Sequence, residues 1–275
     1  MRIDAHQHFW SLERGDYGWL TPALGPIYRD FGPPDLQPLL QGHGIDGTVL
    51  VQAAPTDAET AYMLGLATTH DFVKGVVGWV DFERSDAPAA IAKLAQHPKL
   101  VGLRPMIQDI DDTDWMMQPA LTPAFEALIA HDLVFDALTL PRHLPNLRRL
   151  LARHPDLKVV IDHGSKPDIA GGGMSDWADD IAAIARDTQA FVKLSGLVTE
   201  AAPDWTAQDL APVTEHLLTH FGPTRMIWGS DWPVCTLAST YDDWVSATDT
   251  LLATLSTSDR AAILGLNATR FYNLS

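Results

Sequence analysis

Two imidazoles stand close together at the start of this chain, in the run Met-Arg-Ile-Asp-Ala-His-Gln-His-Phe-Trp. His6 and His8 are two apart, so on an extended strand they point to one face, with Asp4 beside them and Ile3 and Ala5 on the other face. Convergent imidazoles at a strand end can hold a metal ion or polarise a carbonyl oxygen. Taken alone, the pair is equally well read as a strand with two polar residues near a turn. Two later runs strengthen the chemical reading: Asp162-His163 and Ser230-Asp231-Trp232-Pro233 each close a β-rich stretch with groups of the same kind.

Those residues need a scaffold that brings the ends of distant strands together. Runs of strand type lie at 2–6, 45–52, 73–80, 100–107, 133–138, 158–163, 190–195 and 225–231. Each is followed by room for a crossover helix. Helical periodicity covers 57–70, 86–97, 120–131, 143–154, 175–188, 207–221 and 241–254, with a last piece at 257–266; Asp57, Asp86, Ser175 and Thr206 are the expected caps. Residues 12–34 break the rhythm, with Pro22, Pro26, Pro33 and Pro34 among Tyr17, Trp19, Tyr28 and Phe31. They read as a long ordered loop partly covering a site. Gly171-Gly172-Gly173 marks a flexible turn in another strand-to-helix loop. Eight β runs with intervening helices and no break in composition predict an α/β fold, a single (β/α)8 TIM barrel with a C-terminal helical extension. An open doubly wound sheet is the alternative, but the chain has no glycine-rich phosphate loop.

In such a barrel the active site forms where the strands end. The polar residues at those ends are His6 and His8, Gln52, Trp79 and Asp81, Arg104, Asp136, Asp162 and His163 with Lys166 beyond, Lys193 and Ser195, and Asp231. Three histidines and one aspartate, from strands 1, 6 and 8, therefore converge. The other eight histidines read as surface or helix-end residues; His70, His97, His131, His154 and His220 sit where helices stop.

Composition removes several function classes. The 275 residues are 46% hydrophobic, enough for one large barrel or two ordinary domains. With 19 Lys and Arg against 35 Asp and Glu, the formal net charge is −16, which repels phosphate backbones and anionic membranes. Neither nucleic acid nor membrane is an expected partner. Cys235 is the single cysteine, so there is no intrachain disulfide and no cysteine-based zinc site. A core strand at residues 2–8 leaves no place for a cleavable leader ahead of it, which points to the cytoplasm.

Four motifs in order, Asp-Ala-His-Gln-His-Phe at 4–9, Asp-His-Gly-Ser-Lys-Pro at 162–167, Lys-Leu-Ser-Gly-Leu at 193–197 and Gly-Ser-Asp-Trp-Pro at 229–233, resemble the amidohydrolase superfamily. More narrowly, they resemble its branch of sugar-acid lactonases, the fuconolactonases and rhamnonolactonases. The resemblance implies one amidohydrolase-like barrel domain over residues 1–275, a hydrolase that opens the cyclic ester of an aldonic or aldaric acid. Many relatives bridge two metals with a carboxylated lysine on strand 4, where this chain offers Arg104. Relatives with one metal often add a histidine on strand 5, where it offers Asp136. The implied cofactor is one divalent metal (zinc) on His6, His8, His163 and Asp231, or none, since members of this branch also hydrolyse lactones without metal.

Under either assumption water attacks an ester carbonyl, with Asp231 as general base. With zinc, His6, His8 and His163 supply ligands; without it, they donate to the developing oxyanion. Arg104, Lys166 and Lys193 suit a polyhydroxylated substrate that becomes a carboxylate, unless they are tied up with Asp81, Asp136 or Asp162. Trp10, Trp79 and Trp232 offer sugar-stacking faces or plain packing, and Gln52 a hydroxyl contact. A zinc-dependent amide hydrolase or decarboxylase on the same barrel is the nearest alternative, a non-catalytic sugar-acid-binding protein a further one. The particular sugar, ring size, stereochemistry and oligomeric state are left open.

Overall fold

Short runs rich in valine, isoleucine and leucine supply the strands, because a strand covered on both faces has no use for polar alternation. The computed structural model describes residues 1–275 and contains eight of them: β1 (Ile3–Gln7), β2 (Gly47–Val51), β3 (Val73–Gly78), β4 (Leu100–Leu103), β5 (Val134–Ala137), β6 (Val159–Ile161), β7 (Phe191–Leu194) and β8 (Met226–Trp228). All pair in parallel and in chain order around one sheet. Backbone bonds from His8 N to the Trp232 carbonyl and from Asp231 N to the His6 carbonyl, both 2.7 Å, join its first and last members. The expected (β/α)8 barrel is therefore present.

The helices between strands are α1 (Pro33–Gly42), α2 (Asp57–Thr69), α3 (Ala87–Leu94), α4 (Thr122–Ala130), α5 (Leu144–Arg153), α6 (Ser175–Asp187) and α7 (Ala207–Phe221), with α8 (Tyr241–Leu251) after the last strand. None is long and apolar enough to cross a membrane. The apolar stripe of α5 shows the logic: Leu144, Leu147, Leu150 and Leu151 are buried while Arg148 and Arg149 face out.

Helix α1 departs from the sequence reading, which carried an irregular loop through residue 34. Pro33 and Pro34 start a helix instead. In a first turn the missing N–H groups have no intrahelical partner to lose, and the Asp35 carboxylate accepts from Gly32 N at 3.0 Å. Ahead of it, residues 12–32 do form an ordered crossing, with short 3-10 turns at Leu12–Arg14 and Pro22–Ile27. Trp10 there meets both Phe31 and Trp19 edge-on at 5.5 Å. Two caps also shift by a residue. Thr56, not Asp57, accepts from Glu59 N at 3.0 Å, and Met174 precedes α6.

The C-terminal piece is longer than expected and broken into α9 (Thr257–Ala261), a π turn over Ala262–Leu266 and α10 (Asn267–Phe271). It plugs the barrel: Ala268, Phe271, Tyr272 and Leu274 pack in one cluster with Ile3, Val49, Val77, Val134, Val160 and Ile227.

Candidate functional site

Strict alternation along β1 would send Ile3 and Ala5 one way and His6 and His8 the other. Ile3 and Ala5 face the barrel interior, so the histidines would turn outward. A register shift between Asp4 and Gln7 against β2 prevents this: one extra residue reverses the facing of everything after it. Asp4 consequently parts from the histidines, contrary to the sequence reading. It accepts from Ser230 N at 2.8 Å and from the Tyr241 hydroxyl at 3.1 Å, toward α8. Burial pushes its carboxyl up to about 6. His6 and His8 turn into the barrel mouth.

There they meet Asp231. Its Oδ1 is 3.2 Å from His8 Nε2, 3.7 Å from His6 Nε2 and 3.8 Å from His163 Nε2. Both His163 (φ 54°) and Asp231 (φ 58°) have left-handed backbone, as do Gly164, Ser165 and Lys166. Side-chain-bearing residues rarely adopt it, at a cost of about 1–3 kcal/mol each. Trp177 Nε1 donates to the Gly164 carbonyl at 2.7 Å and fixes the loop.

Hydrogen-bond partners restrict the protons. His8 Nδ1 donates to the Val51 carbonyl at 2.7 Å, so in a neutral ring its Nε2 would present a lone pair to the Asp231 oxygen. Two acceptors do not face each other at 3.2 Å; a second proton on His8 or a metal ion must lie between them. Burial pushes the His163 imidazole down to about 4, against the opposing pull of Asp231 and Asp162, and its Nδ1 lies 2.9 Å from Ser195 Oγ. Burial alone would raise Asp231, but His163, the His8 contact and His6 outweigh it and hold the carboxylate below its ordinary range. At neutral pH Asp231 is thus charged and His163 neutral.

Beneath these groups lies a buried ionic layer. Lys193 donates to Asp136 Oδ2 at 2.5 Å and approaches Asp162 Oδ1 at 2.9 Å and His6 Nδ1 at 3.0 Å. Burial and Lys193 both push His6 well below its usual range, so it stays uncharged. The Arg104 guanidinium reaches His6 Nε2 (3.2 Å), Asp162 Oδ2 (3.3 Å) and the Gln52 carbonyl. Tyr272, from the C-terminal plug, donates to Asp136 at 2.8 Å.

A cavity of about 200 Å³ opens above. His8, His163, Asp231, Arg104 and Lys166 all line it. Lys166 is 3.7 Å from Glu200. Other expected contacts do not reach it. Trp10 is buried with Nε1 donating to the Arg29 carbonyl, Trp232 packs edge-on against Phe31, and Lys193 is enclosed by its carboxylates. Gln52 clamps Arg104, donating to its carbonyl at 2.8 Å, and Trp79 lines a neighbouring cavity. His6 is fully buried and does not line the cavity. Trp19, Ala53, Met106, Gln108, Asp109, Leu138 and Val234 complete the wall without having been singled out. Only Trp19 had a signal, as an aromatic in the loop expected to cover the site. His143, read as a surface or helix-end residue, is buried at the start of α5.

His6, His163 and Asp231 each offer a ligand atom within 4.8 Å of the others. The donor set fits a divalent metal. The amidohydrolase family model matches residues 3–274. The chain is an amidohydrolase family member. It is 46% identical to an L-fucono-1,5-lactonase of Burkholderia ambifaria, over 99% of this chain and 96% of that protein. An L-fucono-1,5-lactonase of Burkholderia multivorans is 36% identical, over 100% and 96%. Among solved structures, a Burkholderia multivorans amidohydrolase with bound zinc superposes with a TM-score of 0.94 at 34% identity, over the whole of both chains. A manganese-bound 5-carboxyvanillate decarboxylase of Novosphingobium aromaticivorans shares this family member's fold at 14% identity and a TM-score of 0.73.

Proposed function

We infer that this chain hydrolyses sugar-acid lactones, adding water across the ring ester to give the open acid. The relatives named as lactonases support the reaction class. The observation that carries its mechanism is the ionised Asp231 at the floor of a cavity, with His8, His6 and His163 within 3.8 Å of one oxygen. Asp231 takes a proton from the water as it attacks the carbonyl. The neutral His163, with Ser195 donating to Nδ1, presents Nε2–H to the oxygen that gains charge. On collapse of the tetrahedral intermediate, Asp231 returns its proton to the ring oxygen, and the new acid ionises. Arg104 and Lys166 give the cavity a positive wall for the carboxylate formed.

A divalent ion, zinc being the reading we favour, would be held by His6, His163 and Asp231 with His8 adjacent. His163 would then donate from Nδ1 to Ser195 Oγ and offer its Nε2 lone pair to the ion, which would polarise the ester carbonyl in place of the Nε2–H. An amide is a poorer electrophile than a lactone and asks for more assistance, and the decarboxylase reading has no observation of its own. The test is hydrolysis of a panel of aldono- and aldarolactones that includes L-fucono-1,5-lactone, followed by acid release on metal-analysed protein. Turnover that disappears in Asp231→Asn supports the assignment. Turnover of none of them sends the function elsewhere.

A further inference from the structure

A second cavity, of about 490 Å³, adjoins the first and shares Trp19, Met106 and Asp109 with it. It is more than twice as large, and nothing in the hydrolysis described above uses it. Trp19 forms the sill between the two, its Nε1 donating to the Ala53 carbonyl at 2.7 Å. The far wall presents aromatic faces from Trp79, Phe82 and Trp115 and carboxylates from Asp16, Asp81 and Glu83; no lysine, arginine or histidine lines it.

Two buried polar atoms on this wall lack partners. Trp115 is 5% exposed and its indole N–H finds no acceptor. Asp16 receives Arg14 and Thr56 on Oδ2, at 2.5 and 3.0 Å, while Oδ1 has no donor. A buried group left unpaired is costly and calls for a ligand or water. One free donor and one free acceptor match hydroxyl groups, which do both. Aromatic faces match the apolar face of a sugar ring, and the carboxylates of Asp81 and Glu83, in a lining without a cation, reject an anion.

We propose that this second cavity is a subsite for a neutral sugar unit carried by the lactone, so that the substrates include lactones of disaccharide acids. The proposal rests on the lactonase reading for its reaction but not for its binding. A lactone ring in the first cavity directs its substituent past Trp19 and Met106, and the attached sugar lies between Trp79 and Trp115.

Binding and turnover are therefore measured separately. Saturation-transfer NMR with methyl β-D-glucopyranoside and methyl β-D-galactopyranoside reports the subsite, with spermidine as a cationic control. Steady-state hydrolysis compares maltobiono-1,5-lactone with glucono-1,5-lactone, which lacks the second ring. Loss of one hydrogen bond in Trp115→Phe is expected to weaken glycoside binding and raise KM for maltobionolactone about five- to tenfold. Its kcat, and both constants for gluconolactone, should stay within about twofold. Asp81→Asn, which keeps the shape of the wall, supplies the same comparison if Trp115→Phe folds poorly. A glycoside that binds while no lactone is turned over keeps the subsite and removes the lactonase reading. No saturation transfer from either glycoside, binding by spermidine alone, or equal constants in wild type and both variants overturns the proposal.

Discussion

The two ends of this barrel are closed by opposite means. At the end where the strands begin, Phe271, Tyr272 and Leu274 of the C-terminal segment cover an interior of Ile3, Val49, Val134 and Val160. Apolar surface leaves water there with no demand on geometry beyond close packing. At the end where they finish, Asp136, Asp162, Lys193 and His6 are packed below a cavity that His8, Arg104, His163 and Asp231 line, and His163 and Asp231 hold left-handed backbone. Buried charge and strained backbone cost stability, so the first end supports what the second needs for chemistry. Tyr272 belongs to both, with its ring in the apolar plug and its hydroxyl on Asp136.

Variants at the two ends should separate accordingly. The largest effect is expected from Asp231→Asn, which keeps shape and removes the base. Lactone hydrolysis should fall by about 10²–10⁴-fold, with little change in thermal unfolding; an equal loss of Tm would place Asp231 in the framework instead. Lys193→Met leaves Asp136 in the interior without its cation and Asp162 with Arg104 alone. Urea unfolding should show a loss of about 3–5 kcal/mol, together with reduced activity because His6 loses its neighbour. At the opposite end, Phe271→Ala should cost about 3 kcal/mol of stability and leave kcat/KM unaltered; a changed kcat/KM would show that the plug reaches the site. Tyr272→Phe removes one hydrogen bond across the boundary, so a loss of about 1 kcal/mol is expected.

The smallest effect concerns pH. Burial, with Arg142 nearby, pushes His143 down to about 4, and the Leu140 N–H donates to its Nδ1 at 3.0 Å, which requires the neutral ring. The unfolded chain binds this proton more readily, so His143 contributes stability above its ordinary value near 6.5, and that contribution is lost as pH falls toward 4. His143→Gln should flatten this part of the stability–pH curve while leaving the site intact. An unchanged slope would assign the dependence to other groups.

Much of this was legible in the chain. Val-Val-Ile at 159–161 and Met-Ile-Trp at 226–228 announce strands by local composition, and His163 and Asp231 follow them directly. The helix opened by Pro33 and Pro34 was missed because the same residues punctuate loops, and only the surrounding fold says which role they take. Trp10, Trp232 and Lys193 have the types that grip a sugar acid, and their positions at strand ends gave no sign that packing and two carboxylates would enclose them. Their neighbours are remote in sequence: Lys193 and Asp136 are 57 residues apart, His8 and Asp231 223.

By itself, then, the sequence determined the alternation of strand and helix, the barrel that eight such units form, and the identity of the four groups at its mouth. These follow from hydrophobic patterning and residue type, which act locally. The tertiary structure alone decided that one extra residue in β1 turns His6 and His8 inward while Asp4 turns away. It also decided which cations line the cavity and which lie beneath it. Facing, tautomer and charge state depend on what a side chain meets across the barrel, and those partners exist only once the strands have closed.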